Sequence, residues 1–160
     1  MSHNEGLLHA VPIVGGGAVP PDQLRVYIEK LYKLLDDNNL KKALWGHAAE
    51  GSLHIQPKLN LGQVGDRQKV FRMMDAYHKM VADLSGTISA EGGDGRLHTP
   101  FLPAFYGGEI YALLQKIKKI FDPYDILNPG VKFGGTMEDV KEMIRTDYGL
   151  GHLYDHLPRN

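Results

Sequence analysis

The sequence predicts an α+β fold: a ferredoxin-like, mostly antiparallel sheet with helices packed on one face, plus further helices towards the C terminus. Short apolar stretches alternate with longer stretches whose apolar residues recur at helical spacing, and glycine- or asparagine-containing turns separate them. No internal repeat or low-complexity segment interrupts this order. At 160 residues, of which 42% are apolar and 23% charged, the chain has the length and composition of a single domain, which we place at 1–160.

The first half of the chain predicts the order strand, helix, strand, strand, helix. Apolar residues around the triple glycine at 15–17 predict one or two short, kinked strands. Leu24, Ile28, Leu31 and Leu35 recur at helical spacing and predict the first helix. The later elements are two strands on either side of a turn and a second helix, at residues 42–45, 53–57 and 66–84.

The second half predicts a brief strand, a glycine-rich loop and two helices, at residues 87–89, 91–96, 108–121 and 136–144. Thr136, with Asp139 three residues later, indicates a capping arrangement for the last helix. Residues 148–160 read as a polar and aromatic tail. In the 108–121 helix we expect these apolar residues to face inward: Ile110, Leu113, Leu114, Ile117, Ile120 and Phe121.

The overall charge excludes two classes of partner. Eighteen basic and nineteen acidic residues give a formal net charge of −1, so no strong field attracts nucleic acid or an anionic membrane. No cysteine is present, which excludes a disulfide framework, thiolate metal sites and a cysteine nucleophile. We therefore expect a soluble, cytoplasmic protein without nucleic-acid binding or membrane insertion.

A candidate site is indicated by two histidines and a glutamate beside glycine turns. Neutral imidazole and carboxylate are common ligands of divalent metals, and His47, His54 and Glu91 together would leave an open coordination position on zinc or a similar ion. His47 and His54 are seven residues apart, so they can converge only across a turn. The alternative is that both are simply hydrogen-bonding histidines beside a glycine turn.

Three motifs in order carry a family resemblance: GHAAEGSLH at 46–54, SAEGGDGR at 89–96 and IKKIFDPYDILNPG at 117–130. Together they resemble the C-terminal cap domain of FAD-linked oxidases, the flavoproteins of the glycolate oxidase, D-lactate dehydrogenase and D-2-hydroxyglutarate dehydrogenase type. On this resemblance we place the cap domain at 10–133 and a C-terminal extension at 134–160.

The resemblance implies a fragment of a longer flavoenzyme, with the FAD held mainly by a separate FAD-binding domain of the same parent protein. The cap would form the substrate-facing wall over the flavin and act on a small 2-hydroxy acid. The residue roles implied are metal binding by His47, His54 and Glu91, substrate binding by Arg96, Gln56 and His54, and cofactor binding by Asn128.

The chain departs from the family pattern beside the loop glutamate. The family usually has a histidine there as the proposed general base, and this chain has Gly92; His98 is the substitute that the sequence offers. We therefore expect the chain alone neither to hold FAD firmly nor to turn over. The alternative function is a stand-alone, non-redox module that binds a metal, a small anion or, through an unpaired sheet edge, a partner protein.

Overall fold

The computed structural model describes residues 8–144, which form the predicted α+β fold. The strands are β1 (His9–Ala10), β2 (Gly15–Ala18), β3 (Lys42–His47) and β4 (Ser52–Leu59). The helices are α1 (Leu24–Asp37), α2 (Val64–Asp83), α3 (Gly95–His98), α4 (Leu102–Phe121) and α5 (Met137–Met143). Single 3-10 turns occupy Pro21–Gln23, Ala48–Glu50 and Thr99–Phe101.

The sheet is antiparallel and has the strand order of a ferredoxin-like unit. β4 lies in the centre, with β3 on one side and β1 and β2 end to end on the other. Beyond β2, the predicted strand at 87–89 contributes one bridge, between Ala18 and Thr87. The order of segments across the sheet is therefore Thr87, β2, β4, β3, which is the split βαβ arrangement expected from the sequence.

One face of the sheet is covered by α1 and α2. Of the stripe predicted for α1, Leu31 and Leu35 are buried, while Leu24 and Ile28 are partly buried against the core. Tyr27 of α1 is also buried, and α2 buries seven residues, among them Met73 and Met74. Alternate residues of β4 join this core, at Leu53, Ile55 and Leu59.

A buried polar contact fixes β2 to both helices. The Gly17 backbone N–H donates to the Tyr77 hydroxyl at 3.0 Å, and that hydroxyl lies 2.9 Å from the hydroxyl of Tyr27. A Cβ atom on Gly17 would come within 2.4 Å of the Tyr77 oxygen. Only glycine fits at this position unless the tyrosine moves.

The opposite face of the sheet, which we call the open face, carries the polar residues of β4. His54 and Gln56 alternate with the core residues, and the hairpin register places Trp45 opposite His54 and His47 opposite Ser52. Directly paired residues of antiparallel strands share a face. The turn between β3 and β4 therefore brings both predicted imidazoles to the open face.

The helix predicted at 108–121 is confirmed as the part of α4 that follows a break, but its predicted buried face is wrong. α4 begins at Leu102 and is interrupted at Gly107, whose φ of 74° is outside the helical region. Beyond this break the residues expected to face inward are instead exposed by 44% to 80%, at Ile110, Leu113, Ile117, Ile120 and Phe121; Leu114 is partly buried. The apolar period identifies an amphipathic helix, but nothing in residues 8–144 covers this stretch.

The last helix has the predicted capping box. The Thr136 hydroxyl accepts from the Asp139 N–H, and the Asp139 carboxylate accepts from the Thr136 N–H. The predicted tail at 148–160 lies outside the described residues. No helix within residues 8–144 combines the length and apolar character that crossing a bilayer requires.

Candidate functional site

A cavity of about 500 Å³ lies on the open face of the sheet. β3, β4 and the glycines of β2 form its floor, and the loop around α3 forms one side. Five of the seven predicted site residues line it: His54, Gln56, Glu91, Arg96 and His98. His47 lies just outside the lining, and Asn128 lies in a separate turn.

Glu91 joins the two predicted imidazoles. His54 Nε2 is 2.8 Å from Glu91 Oε2, and His47 Nε2 is 3.4 Å from Glu91 Oε1. The Ser52 hydroxyl donates to Oε1 at 3.4 Å. The hydrogen bond from His54 is the main reason that the pKa of Glu91 lies below its usual value, with the charges of both imidazoles adding to it. At neutral pH this corner of the cavity therefore holds an ionised carboxylate.

The metal predicted at this corner is not supported by the geometry. In the described part of the chain, no three histidine, aspartate or glutamate side chains are arranged so that they could hold a metal ion. Each oxygen of Glu91 is instead directed to one imidazole nitrogen, which is the arrangement of an ion-paired cluster. The donor set has the chemistry of a divalent site, but not its geometry.

Trp45 is a cavity residue that the sequence analysis missed. Its indole stacks on the His54 imidazole, with ring centroids 5.7 Å apart and planes inclined by 19°, and it is 48% exposed. The signal was present in the sequence, because residues 45 and 47 of one strand share a face. The indole gives the predicted polar site an apolar wall.

A buried ion pair holds the glycine-rich loop in place. The Asp94 side chain is only 2% exposed and accepts from Lys132 Nζ at 2.6 Å; it also accepts from the Ser89 hydroxyl. The Thr99 hydroxyl accepts from the Lys132 N–H at 2.9 Å and donates to the Gly95 carbonyl at 2.8 Å. These bonds tie the cavity loop to the segment that follows the third motif.

Arg96 is the cation of the cavity wall. Its guanidinium lies against Gly130, where a Cβ atom would be 2.9 Å from Nη1. Among residues 8–144, no carboxylate is within ion-pair distance of the guanidinium. The pKa of Asp139 is lowered mainly by its hydrogen bonds with Thr136, and the more distant charge of Arg96 lowers it further. Arg96 can therefore accept an anionic ligand without first losing an internal partner.

His98 is half-buried in the wall and lies above a second, fully buried imidazole. The rings of His98 and His78 are edge to face, 5.3 Å apart. Two buried side-chain nitrogens have no hydrogen-bond partner among the described residues, and they are His98 Nδ1 and His78 Nε2. Burial lowers the pKa of His98, against the opposing charge of Asp94, so its imidazole is neutral at pH 7.

Gly92 lies where the family resemblance predicts a histidine, and its backbone conformation disfavours a histidine. Its φ is 67°, in the left-handed region, although a Cβ atom would meet nothing within 4 Å. A histidine here would have space but a strained backbone. The loop therefore favours glycine, and of the two imidazoles in the lining, His54 and His98, only His98 is not bonded to Glu91.

Asp122 organises the third motif. Its carboxylate accepts the N–H groups of Ile126 and Leu127, each at 2.9 Å, and pairs with Lys118. The lysine is the main cause that lowers the pKa of Asp122 to about 2. Asn128 follows this turn, exposed and with a φ of 49°. The turn holds it away from the cavity lining.

Comparison with known proteins matches this chain to a family over most of its length. The family described as "FAD linked oxidases, C-terminal domain" matches residues 6–131. A protein named D-2-hydroxyglutarate dehydrogenase from Escherichia coli (strain K12) is 32% identical over 130 residues, covering 81% of this chain and 13% of that protein.

Two further relatives are similar. A D-2-hydroxyglutarate dehydrogenase from Pseudomonas putida is 36% identical over 126 residues, which are 79% of this chain and 12% of that protein. A D-lactate dehydrogenase from Archaeoglobus fulgidus is 31% identical over 126 residues, or 79% of this chain and 28% of that protein. The chain thus spans only a small part of the length of the relatives it matches.

Proposed function

Because the chain belongs to the family of FAD-linked oxidase C-terminal domains, we propose that it forms the substrate-facing wall over a flavin in an oxidoreductase acting on a small 2-hydroxy acid. The observation that carries the proposal is the gathering of His54, Gln56, Glu91, Arg96 and His98 around one cavity. The names of the relatives, which are dehydrogenases of D-2-hydroxyglutarate and D-lactate, support the substrate class.

The cavity residues have complementary roles towards a 2-hydroxy acid. Arg96 binds the carboxylate, because a guanidinium presents two parallel N–H donors to its oxygens. Gln56 and His54 lie on the floor, where they orient the hydroxyl group. Glu91 holds the His54 ring through the 2.8 Å contact at Nε2.

His98 is the proton acceptor in this proposal. A neutral imidazole can remove the hydroxyl proton as the carbon that bears the hydroxyl group is oxidised. FAD supplies the acceptor for the hydride that leaves this carbon. The proton goes to His98, and the product is the 2-oxo acid.

The flavin itself is held mainly by another domain. Gly15 to Gly17 lie in strand β2, not in a turn that opens a helix, so they are not a dinucleotide-binding turn. Asn128, in the exposed turn after α4, is the residue that we assign to contact FAD. The exposed apolar side of α4 supports a contact with the FAD-binding domain of the same parent protein. The absence of cysteine is consistent with a cytoplasmic location.

Metal binding by His47, His54 and Glu91 is a separate part of the proposal, supported only by the donor set. We derive no catalytic step from it. Metal analysis of the purified chain, compared with Glu91→Gln, tests it. Bound zinc or a similar ion that is lost in this variant would support the metal, and an ion-free chain would leave the three residues as the ion-paired cluster.

The proposed function is tested by the fluorescence of Trp45, the only tryptophan of the chain, which lies in the cavity wall. We expect D-lactate, glycolate and D-2-hydroxyglutarate to change its emission, and Arg96→Gln to weaken their binding about tenfold or more. Arg25→Gln, an exposed arginine of α1 paired with Glu29, is the matched control and should bind as the parent chain does.

Two results would contradict the proposal. One is the absence of any response to all three acids; the other is equal binding by the parent chain and the Arg96→Gln variant. A parallel titration with FAD should show no tight yellow complex with this chain alone, and no dye reduction when an acid is added.

A further inference from the structure

We infer that the preferred 2-hydroxy acid of this site has a single carboxylate and an apolar side chain, branched or aromatic, with Trp45 as the residue that determines this specificity. The inference rests on the proposed function and narrows its substrate class. It depends on two features of the cavity, namely the balance of charges in its lining and the chemistry of its remaining wall.

The charges of the lining suit one carboxylate and oppose a second. Arg96 is the only lysine or arginine among the lining residues, and two carboxylates, Glu91 and Asp94, share the lining with it. Glu91 is bonded to the His54 imidazole, and Asp94 is paired with the Lys132 ammonium group. Lys132 is thus engaged by Asp94, so the described wall provides no second cation for a dicarboxylate.

The position of Glu91 makes this opposition specific. Its Oε2 lies 2.8 Å from His54 Nε2 and its Oε1 lies 3.4 Å from His47 Nε2, so both carboxylate oxygens are held beside the imidazoles at the cavity floor. A ligand carboxylate near it would meet a like charge at short range, which costs binding free energy in a partly desolvated cavity. A ligand whose only carboxylate lies at Arg96 avoids this cost.

The rest of the wall is apolar. The lining includes the apolar residues Trp45, Leu97 and Met143. Gly16 also lines the cavity, and a Cβ atom on it would meet nothing within 4 Å, so the cavity has free space beside this residue. The indole plane is fixed by its stacking on His54, so it provides a preformed flat surface for an alkyl or aryl group.

The test compares the affinities of four acids for the purified chain by calorimetry at pH 7. The ligands are D-lactate, D-2-hydroxy-4-methylpentanoate, D-3-phenyllactate and D-2-hydroxyglutarate. We expect the two acids with large apolar groups to bind about tenfold more tightly than D-lactate, because additional carbons are removed from water. D-2-hydroxyglutarate should bind no more tightly than D-lactate.

Variants at position 45 connect this preference to the indole. Trp45→Thr introduces a residue that suits an edge strand, and it should reduce the advantage of the apolar acids over D-lactate to about threefold or less. Trp45→Phe keeps an aromatic face and should keep the preference. If circular dichroism shows that the Trp45→Thr variant is unfolded, the affinities of the four acids for the parent chain and for Trp45→Phe test the inference by themselves.

The outcomes separate this inference from the proposed function. D-2-hydroxyglutarate binding more tightly than the apolar acids would overturn the inference and leave the proposed function standing. Equal preference in the parent chain and Trp45→Thr would overturn the role of Trp45. No binding of any acid would contradict both.

Discussion

The imidazole of His78 is almost entirely enclosed, with 3% of its surface exposed. It stacks on Phe101 with centroids 3.6 Å apart. Its Nδ1 is 2.6 Å from the Met74 carbonyl oxygen, which can only accept, so this nitrogen carries the hydrogen. Nε2 is then an acceptor without a donor among the described residues. The ring is therefore held in its neutral form beneath His98.

This burial predicts a loss of stability in acid. Burial lowers the pKa of His78 to about 4, from its ordinary value of 6.5. Between these values the unfolded chain binds a proton that the folded chain does not, so the free energy of unfolding decreases as pH falls from 6.5 to 4. Over this range the parent chain should lose up to about 3 kcal/mol more than His78→Phe, measured by urea unfolding. Parallel pH curves for the two chains would contradict this assignment.

At the scale of single residues, sequence patterns predicted the convergence of the site but not its surroundings. The convergence of His47 and His54 needed only a turn between two strands, and that turn has a clear glycine signal. Glu91 comes from a different loop, which follows the bridge between Ala18 and Thr87. The sequence indicates that Trp45 shares a face with His47, but its stacking on His54 depends on the cross-strand register, which is a property of the folded hairpin. For the same reason, the metal geometry could not be judged from residue types.

Among the elements, the loop that carries α3 depends on the buried pair of Asp94 and Lys132. Lys132→Met should lower the free energy of unfolding by about 2 to 3 kcal/mol, because it leaves a buried carboxylate without its cation. Urea unfolding measures this. The double variant Asp94→Asn with Lys132→Met should recover part of the loss, since no buried charge then remains.

An exposed pair provides the matched control for this prediction. Lys79 and Asp83 of α2 are 3.5 Å apart, with side chains 77% and 53% exposed. Lys79→Met should change the free energy of unfolding by less than about 0.5 kcal/mol. An effect of Lys132→Met as small as that of Lys79→Met would show that the Asp94 pair does not hold the loop.

The elements that local signals specify were predicted well. The apolar spacing of α1, the turn between β3 and β4 and the capping box of α5 are contained in a few neighbouring residues. α3 was not predicted, because its four residues lie in a glycine-rich loop and are held by contacts with residues more than thirty positions away, such as Lys132. The predicted helix start at 108 coincides with the break in α4 at Gly107, whereas the helical residues 102–106 before the break were not predicted.

At the scale of the molecule, the main feature is the apolar side of α4 and of the turn that follows it, which is left uncovered by the rest of residues 8–144. Leu113, Ile117, Ile120 and Phe121 are among its exposed residues. Contiguous apolar surface of this kind favours association in water. We expect the chain alone to self-associate with rising concentration, as measured by sedimentation velocity.

Charged substitutions on α4 should suppress this association. Leu113→Glu with Ile117→Lys places an opposite-charge pair one turn apart, which supports the helix while it removes the apolar surface. The matched control, Val26→Glu on the exposed side of α1, should leave association unchanged. Equal association of all three chains would show that the α4 surface is not responsible.

The interruption at Gly107 has a consequence for assembly. The non-helical residue separates the two parts of α4, so helix formation in 108–121 is not cooperative with the part that is anchored in the core. An isolated helix of about fourteen residues is near the limit of stability in water. Its coil-to-helix equilibrium should therefore respond to whatever docks against it. Amide exchange in 108–121 would then slow when another domain docks on this segment. Helix formation in 108–121 and binding of that domain would be thermodynamically coupled.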